Sequence, residues 1–426
     1  MADAAPVPTA EERRLISSVE VLGYRCLEYV QVRLRPLAIL VGPNGSGKSS
    51  FLDALHFVRD LLRDGPAEAV AARADELEDL TWMRRGSHFE IALEVELPER
   101  LARGARSSCR YAVRIGRTGE GEVGVLEEYL WLKPAAKPPP AQASLFPHDP
   151  TAPATLVREP PRGSAWRVVV RKVPGSGNDY FRSEAGDWNI QFRVGPRRAA
   201  LASLPDDESR FPAAAWLRRF LSDGLLWLQL NSRAMRQPVS PRDPKRFLPD
   251  GSNLPLVVED LKAGQPDRFE EWLRHLRFVL PGLDDIEIET RESDRYRYLV
   301  LEYDSGLRAP SWLVSDGTLR ILALTLLAYL PTTEGALYLI EEPENGLHPK
   351  ALEPVFQSLA SVYEGQVLVA THSALLLGLA EPSQILCFAT TRRGAADVVS
   401  GDQHPALQLW RGEVDLGTLL ASGVPG

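Results

Sequence analysis

At 426 residues with 44% hydrophobic content, the chain is long enough for one large or two modest domains with real cores. A net charge of −8 excludes a bulk basic field for nonspecific nucleic-acid binding, so any such contact has to be a local patch. Cys26, Cys109 and Cys387 have no metal-ligand spacing, and with no signal peptide and no long apolar run they point to a reducing cytoplasm and no membrane span.

Residues 1 to about 14 read as a small, polar leader before a first strand at Ile16–Val21. Leu37–Val41 is a short apolar run without helical period, as expected of a strand buried on both faces of a parallel sheet. Gly42-Pro43-Asn44-Gly45-Ser46-Gly47-Lys48-Ser49-Ser50 follows at once. Its glycines let backbone N–H groups turn toward an anion, and the helix beginning near Lys48 aims its positive end at the same point. Lys48 is placed to reach the β/γ-phosphates of ATP, and Ser49 to put a hydroxyl on Mg²⁺. Phe51, Leu52, Leu55 and Val58 give that helix a buried stripe.

Phe89–Leu97, Arg110–Ile115 and Tyr129–Leu132 alternate with period two and read as antiparallel strands. Pro134–Gly163 holds nine prolines and few large apolar residues, and reads as an exposed, poorly ordered linker. Strand character resumes at Trp166–Arg171, while Phe211–Leu230 and Leu254–Leu280 read as mainly helical. No heptads are sustained, which predicts a compact lobe and no coiled-coil arm. Arg100, Arg103, Arg106, Arg110, Arg114 and Arg117 form one basic group, and Arg233, Arg236, Arg242, Lys245 and Arg246 a second. Both are candidate phosphate contacts, or solvated faces lacking interleaved aromatics.

Ser315-Asp316-Gly317-Thr318 opens a helical run through Leu330 that Pro331 stops, with Ser315 a good N-cap. Ala336–Ile340 is a second buried strand, ending in Glu341 and Glu342. Adjacent strand residues face opposite ways, so Glu341 is the candidate for Mg²⁺ and Glu342 for the attacking water. Gln366–Ala370 makes a third strand, ending at Thr371-His372-Ser373, where His372 can donate to the γ-phosphate. On its own, an acid pair, a lone histidine or a capped helix start is commonly structural; their order along one chain is what carries weight.

These motifs, with Leu22-Gly23-Tyr24-Arg25-Cys26-Leu27 and Asp250-Gly251-Ser252-Asn253-Leu254, resemble the ABC-class ATPases of the SMC/RecF/OLD group, in particular AAA-domain ATPases with a small insertion in place of a coiled coil. The resemblance implies an α/β P-loop NTPase: an ABC-type head with a parallel core sheet, an antiparallel β-subdomain and an inserted, mainly helical lobe. The expected parts are a first half-head (1–133), the linker (134–163), the insertion (164–300), a second half-head (301–390) and a tail (391–426). It also implies a homodimer enclosing two ATP, in which Ser315 and Gly317 act in trans on nucleotide held at Lys48.

Three departures stand out. Phe51–Arg100 contains no glutamine for the usual metal-sensing position, Glu341 replaces the aspartate of many relatives, and Ser-Asp-Gly-Thr is not the transporter signature. The stretch after His372 is too short for the Toprim nuclease domain of OLD proteins, so any nuclease-like effector is expected on a separate chain, with residues 404–426 a docking element. The function implied is a switch ATPase gating such an effector, as in anti-phage defence. A RecF-like DNA repair factor and a nucleotide-dependent assembly module with little turnover are the alternatives.

Overall fold

The computed structural model describes residues 15–404 and 407, apart from 105, 135–145, 162, 164, 174–178, 192, 332–334 and 363–364. The expected leader, the middle of the proline-rich stretch and the tail beyond Leu407 lie outside the described residues.

Strands β1 (Ile16–Tyr24), β2 (Leu27–Arg33) and β3 (Leu37–Val41) open the chain, followed by helices α1 (Lys48–Arg63) and α2 (Pro66–Ala71). Next come β4 (His88–Glu96), β5 (Ser108–Arg117), β6 (Val123–Lys133), β7 (Arg167–Lys172), β8 (Tyr180–Arg182) and β9 (Asn189–Gln191). They join β1 and β2 in an antiparallel sheet ordered β2-β1-β4-β5-β6-β7-β8-β9. Helix α3 (Pro212–Arg219) leads into β10 (Leu225–Leu228), then α4 (Ser232–Met235), α5 (Leu254–Gly264) and α6 (Pro266–Val279). A small antiparallel sheet of β11 (Leu283–Thr290), β12 (Arg297–Tyr303) and β13 (Arg308–Pro310) precedes α7 (Asp316–Leu326). The chain continues through β14 (Ala336–Glu341), α8 (Pro349–Ala360), β15 (Gly365–Ala370), α9 (Ala374–Leu379), β16 (Ile385–Thr390) and β17 (Ala396–Ser400).

The core sheet runs β10-β14-β15-β3-β16-β17, parallel except for the last pair. Its strands are apolar on both faces because both faces are covered. Ala38, Leu40, Leu337, Leu339 and Leu368 point into one core, shared with α1 and the antiparallel sheet. Ile39, Val41, Tyr338, Ile340, Val367 and Val369 alternate into the other, against α5 to α8. Phe51, Leu52, Leu55 and Val58 are fully buried in the first core, so the helix after the glycine loop is wedged between two sheets.

One stretch differs from its sequence reading. Phe211–Leu230, expected to be mainly helical, turns at Gly224 and becomes β10, because Leu225–Leu228 gains more by pairing in parallel with β14 than by extending a helix. Helical content is therefore moderate, with strands and helices sharing 164–300. The described part of the proline-rich stretch has no helix or strand and is mostly exposed, in line with a linker, but it is tied to the head at a few points. Phe146 lies with its ring 5.1 Å from His404, and the His148 N–H donates to Asp397 at 2.8 Å. Leu156 and Val157 are buried, and their N–H groups donate to Glu90, at 2.5 and 3.2 Å.

Glu90 explains that docking. It is 0% exposed, and Arg114 alone, at 2.7 Å, leaves lone pairs that Thr155, Leu156 and Val157 satisfy. Replacing Glu90 by Ala is expected to cost about 3 kcal/mol by leaving the buried Leu156 and Val157 N–H groups unpaired and removing one of the two carboxylates on Arg114. Urea unfolding of Glu90→Ala checks this; a loss within experimental error would mean the segment is not held this way.

Candidate nucleotide site

The parallel register brings the carboxyl ends of β3, β10, β14 and β15 to one edge, where a ligand crevice is expected in such a sheet. A cleft of about 620 Å³ opens there. It is lined by Asn44, Gly45, Gly47, Lys48, Ser49 and Ser50 from one end of the chain and by Glu341, Glu342 and His372 from the other.

The loop geometry requires glycine at 42. Its φ is +144°, and an added Cβ would lie 2.1 Å from the Phe388 carbonyl oxygen. Lys48 folds back so that its ammonium donates to the carbonyls of Gly42 and Pro43, at 2.7 and 2.9 Å. Burial pushes this ammonium below the usual lysine range, while Glu341 and Glu342 pull in the opposite direction. Ser46 is buried beneath the loop and is not among the residues lining the cleft.

Ser49 donates to Glu341 at 2.5 Å, closing the gap between two residues separated by almost three hundred positions. A hydroxyl and a carboxylate converging beside a phosphate loop are hard oxygen donors suited to Mg²⁺, which takes few protein ligands and completes its shell with water and phosphate. Among the described residues no group of three or more His, Cys, Asp or Glu is placed to hold a metal ion.

Glu342 is set apart from Glu341 by its backbone. Its φ is +47°, the left-handed region that costs a non-glycine residue roughly 1–3 kcal/mol and is held only where surroundings enforce it. Here its N–H donates to Ala370 at 2.7 Å, and the Asn345 amide donates to its carboxylate at 2.5 Å. The carboxylate is thereby exposed at the cleft, where it can accept a proton from a water molecule.

Ser315 and Gly317 are not among the described residues lining this cleft. Ser315 caps α7, accepting from the Thr318 N–H at 3.1 Å, and stands exposed at the helix tip. Several lining residues were not anticipated, among them Gln229, Arg320 and Cys26. Gln229 follows β10 directly, Arg320 reaches in from α7, and Cys26 lies 3.4 Å from Ser50. Gln229 thus puts a glutamine at the cleft, where Phe51–Arg100 has none to offer. The signal for it was the four-residue apolar run before it, which a helical reading absorbed.

At least three members of each basic group form internal ion pairs, while Arg103, Arg233 and Arg242 stand exposed. Arg110 is buried against Glu20, Arg114 binds Glu90 and Glu127, and Arg117 binds Glu76 and Glu78. In the second group Arg236 binds Asp316, Lys245 binds Asp260 and Arg246 binds Asp223. The strands and turns carrying these residues are rich in carboxylates, which a count of basic residues overlooks.

A family model described as "AAA domain, putative AbiEii toxin, Type IV TA system" matches residues 164–378, half of the chain, and one described as "AAA ATPase domain" matches residues 15–118. No curated protein matches the chain. Among solved structures, an SMC head bound to the C-terminal winged-helix domain of ScpA is 16% identical, with 91% of this chain and 98% of that one covered at a TM-score of 0.54. The Pyrococcus furiosus SMC head with an extended coiled coil, bound to the C-terminal domain of ScpA, is 14% identical, with 90% and 96% covered at 0.50. At such identity the likeness establishes the fold. The chain belongs to the AAA-domain family of ATPases and carries its nucleotide site on an SMC-head fold.

Proposed function

We propose that this ATPase is a switch that dimerises head to tail around two ATP, resets on hydrolysis, and acts in a nucleic-acid-related task of the anti-phage defence type through a separate effector. The observation that carries the reading is the exposure of Ser315 and the α7 tip outside the cleft of their own chain. A capped helix start can present N–H groups to an anion, and a second copy holding ATP would supply one. The matched SMC heads were solved with a ScpA domain bound, which supports an engine working through another protein. No described helix is long and apolar enough to cross a membrane, and Cys26, Cys109 and Cys387 are free thiols, so we place the switch in the cytoplasm.

In this reading the loop N–H groups and Lys48 hold the β- and γ-phosphates. Ser49 and Glu341 would hold Mg²⁺, which when bound would supply Lewis-acid stabilisation of the phosphate charge. Glu342 accepts the proton of the attacking water as its oxygen bonds to the γ-phosphorus and the bond to ADP breaks. His372 donates to the γ-phosphate, and Gln229 faces the same end of the cleft from β10.

Two predictions follow from these roles. Glu342→Gln is expected to slow turnover at least about 100-fold and to accumulate an ATP-bound dimer, whereas Lys48→Ala loses nucleotide binding. Light scattering coupled to sizing reads the dimer; a monomer under every nucleotide condition would sink the switch. Gln229→Ala is expected to lower kcat roughly 10- to 100-fold with nucleotide Kd little changed, and unaltered kcat would remove Gln229 from the machinery.

A further inference from the structure

The turn after the acid pair does more than follow it. Glu344 accepts a hydrogen bond from the Thr371 hydroxyl at 2.5 Å and from the backbone N–H of His372 at 3.2 Å, both on the same carboxylate oxygen, Oε1. Thr371 in turn accepts from the Ser373 N–H at 2.9 Å, and Ser373 caps α9. The short segment carrying His372 is therefore gripped from the side by a residue of another strand's loop. Its own strand fixes it only as far as the Thr371 N–H, which donates to Leu40.

Glu344 shares its turn with Glu342. The Asn345 N–H donates to the Glu342 carbonyl at 3.0 Å, the Leu347 N–H to the Glu344 carbonyl at 3.0 Å, and the Asn345 side chain to the Glu342 carboxylate. One compact turn thus holds the carboxylate at the cleft with one side chain and the histidine segment with another. The same turn touches α7: a Cβ on Gly317 would lie 2.8 Å from the Gly346 carbonyl oxygen, so only glycine permits this approach. The other Glu344 oxygen, Oε2, is buried without a hydrogen-bond partner, a cost that a purely space-filling residue would not retain.

We infer that Glu344 is a positioning residue for ATP hydrolysis, fixing His372 relative to Glu342 so that the γ-phosphate donor and the water-activating acid move as one unit. The inference rests on the reading that His372 acts at the γ-phosphate. Charge on Glu344 strengthens both hydrogen bonds, and a fixed His372 saves reorganisation when the phosphate reacts. Gly317 brings the α7 tip onto that unit, so a tip seated on a second copy's nucleotide presses on the turn that holds both groups.

The test compares Glu344→Ala, Glu344→Gln, His372→Ala and the double variant Glu344→Ala/His372→Ala, with Mg²⁺-ATP turnover and nucleotide Kd measured separately. Glu344→Ala is expected to lower kcat roughly 10- to 100-fold while Kd stays within about threefold, and Glu344→Gln, which keeps an acceptor oxygen, to recover most of the loss. The double variant is expected to be no slower than His372→Ala, because Glu344 acts through that side chain. A multiplicative loss in the double variant, or normal kcat in Glu344→Ala, overturns the inference while leaving the role of His372 intact. Unchanged turnover in His372→Ala overturns both. Should Glu344→Ala not fold, Thr371→Val removes the hydroxyl that donates to Glu344 and accepts from the Ser373 N–H; it is expected to lower kcat without shifting Kd, and a wild-type kcat there overturns the inference equally.

Discussion

The parallel pairing of β3 with β15, and of β15 with β14, is what the active cleft depends on. Leu40 sits opposite Ala370 and Ile340 opposite Val369, so the last residues of three strands end at one level although the chain between them is nearly three hundred residues long. Every hydrogen bond of that ladder is buried between two apolar cores, where slipping by one residue would turn Leu339 and Ile340 onto the wrong faces. Registry is therefore strongly specified. The contact between Ser49 and Glu341 is a consequence of it.

Helix α1 links this ladder to the second sheet. Its apolar stripe fills the core between them, while its polar side carries Asp53, which accepts from Tyr24 at 2.6 Å and from Arg73 at 2.7 Å. Burial and the neighbouring Asp53 carboxylate push the Tyr24 hydroxyl well above the usual tyrosine range, so it remains a neutral donor. His56, on the same helix, meets Trp227 of β10 edge to face at 5.3 Å. Helix α1, whose first turn lines the cleft, is thus anchored to both β1 and the strand that Gln229 follows. Strain at Glu342 persists for the same reason: the framework around it is over-determined.

Much of this was legible in sequence because the decisive signals are local. A glycine loop between an apolar strand and an amphipathic helix, and an acid pair ending a strand, need no tertiary information. The Ser315 cap lies where its sequence puts it, and β4, β5 and β6 follow their alternation closely. What escaped depends on partners far along the chain. Gln229 follows a strand of four residues whose strand state exists only because β14 offers an edge, and the left-handed backbone of Glu342 is imposed by Ala370. The arginine groups were only partly legible for the complementary reason. Whether Arg110 or Arg246 is free to meet phosphate is decided by Glu20 and Asp223, not by its neighbours in sequence.

The central claim is that the cleft is built within one chain and completed by the α7 tip of another. Mixing two inactive variants, Lys48→Ala and Ser315→Arg, tests it most directly. Each mixed dimer contains one site with an intact Lys48 facing an intact Ser315, so an equimolar mixture is predicted to regain about a quarter of wild-type ATP turnover. A mixture no more active than the mean of the two separate variants would contradict the account.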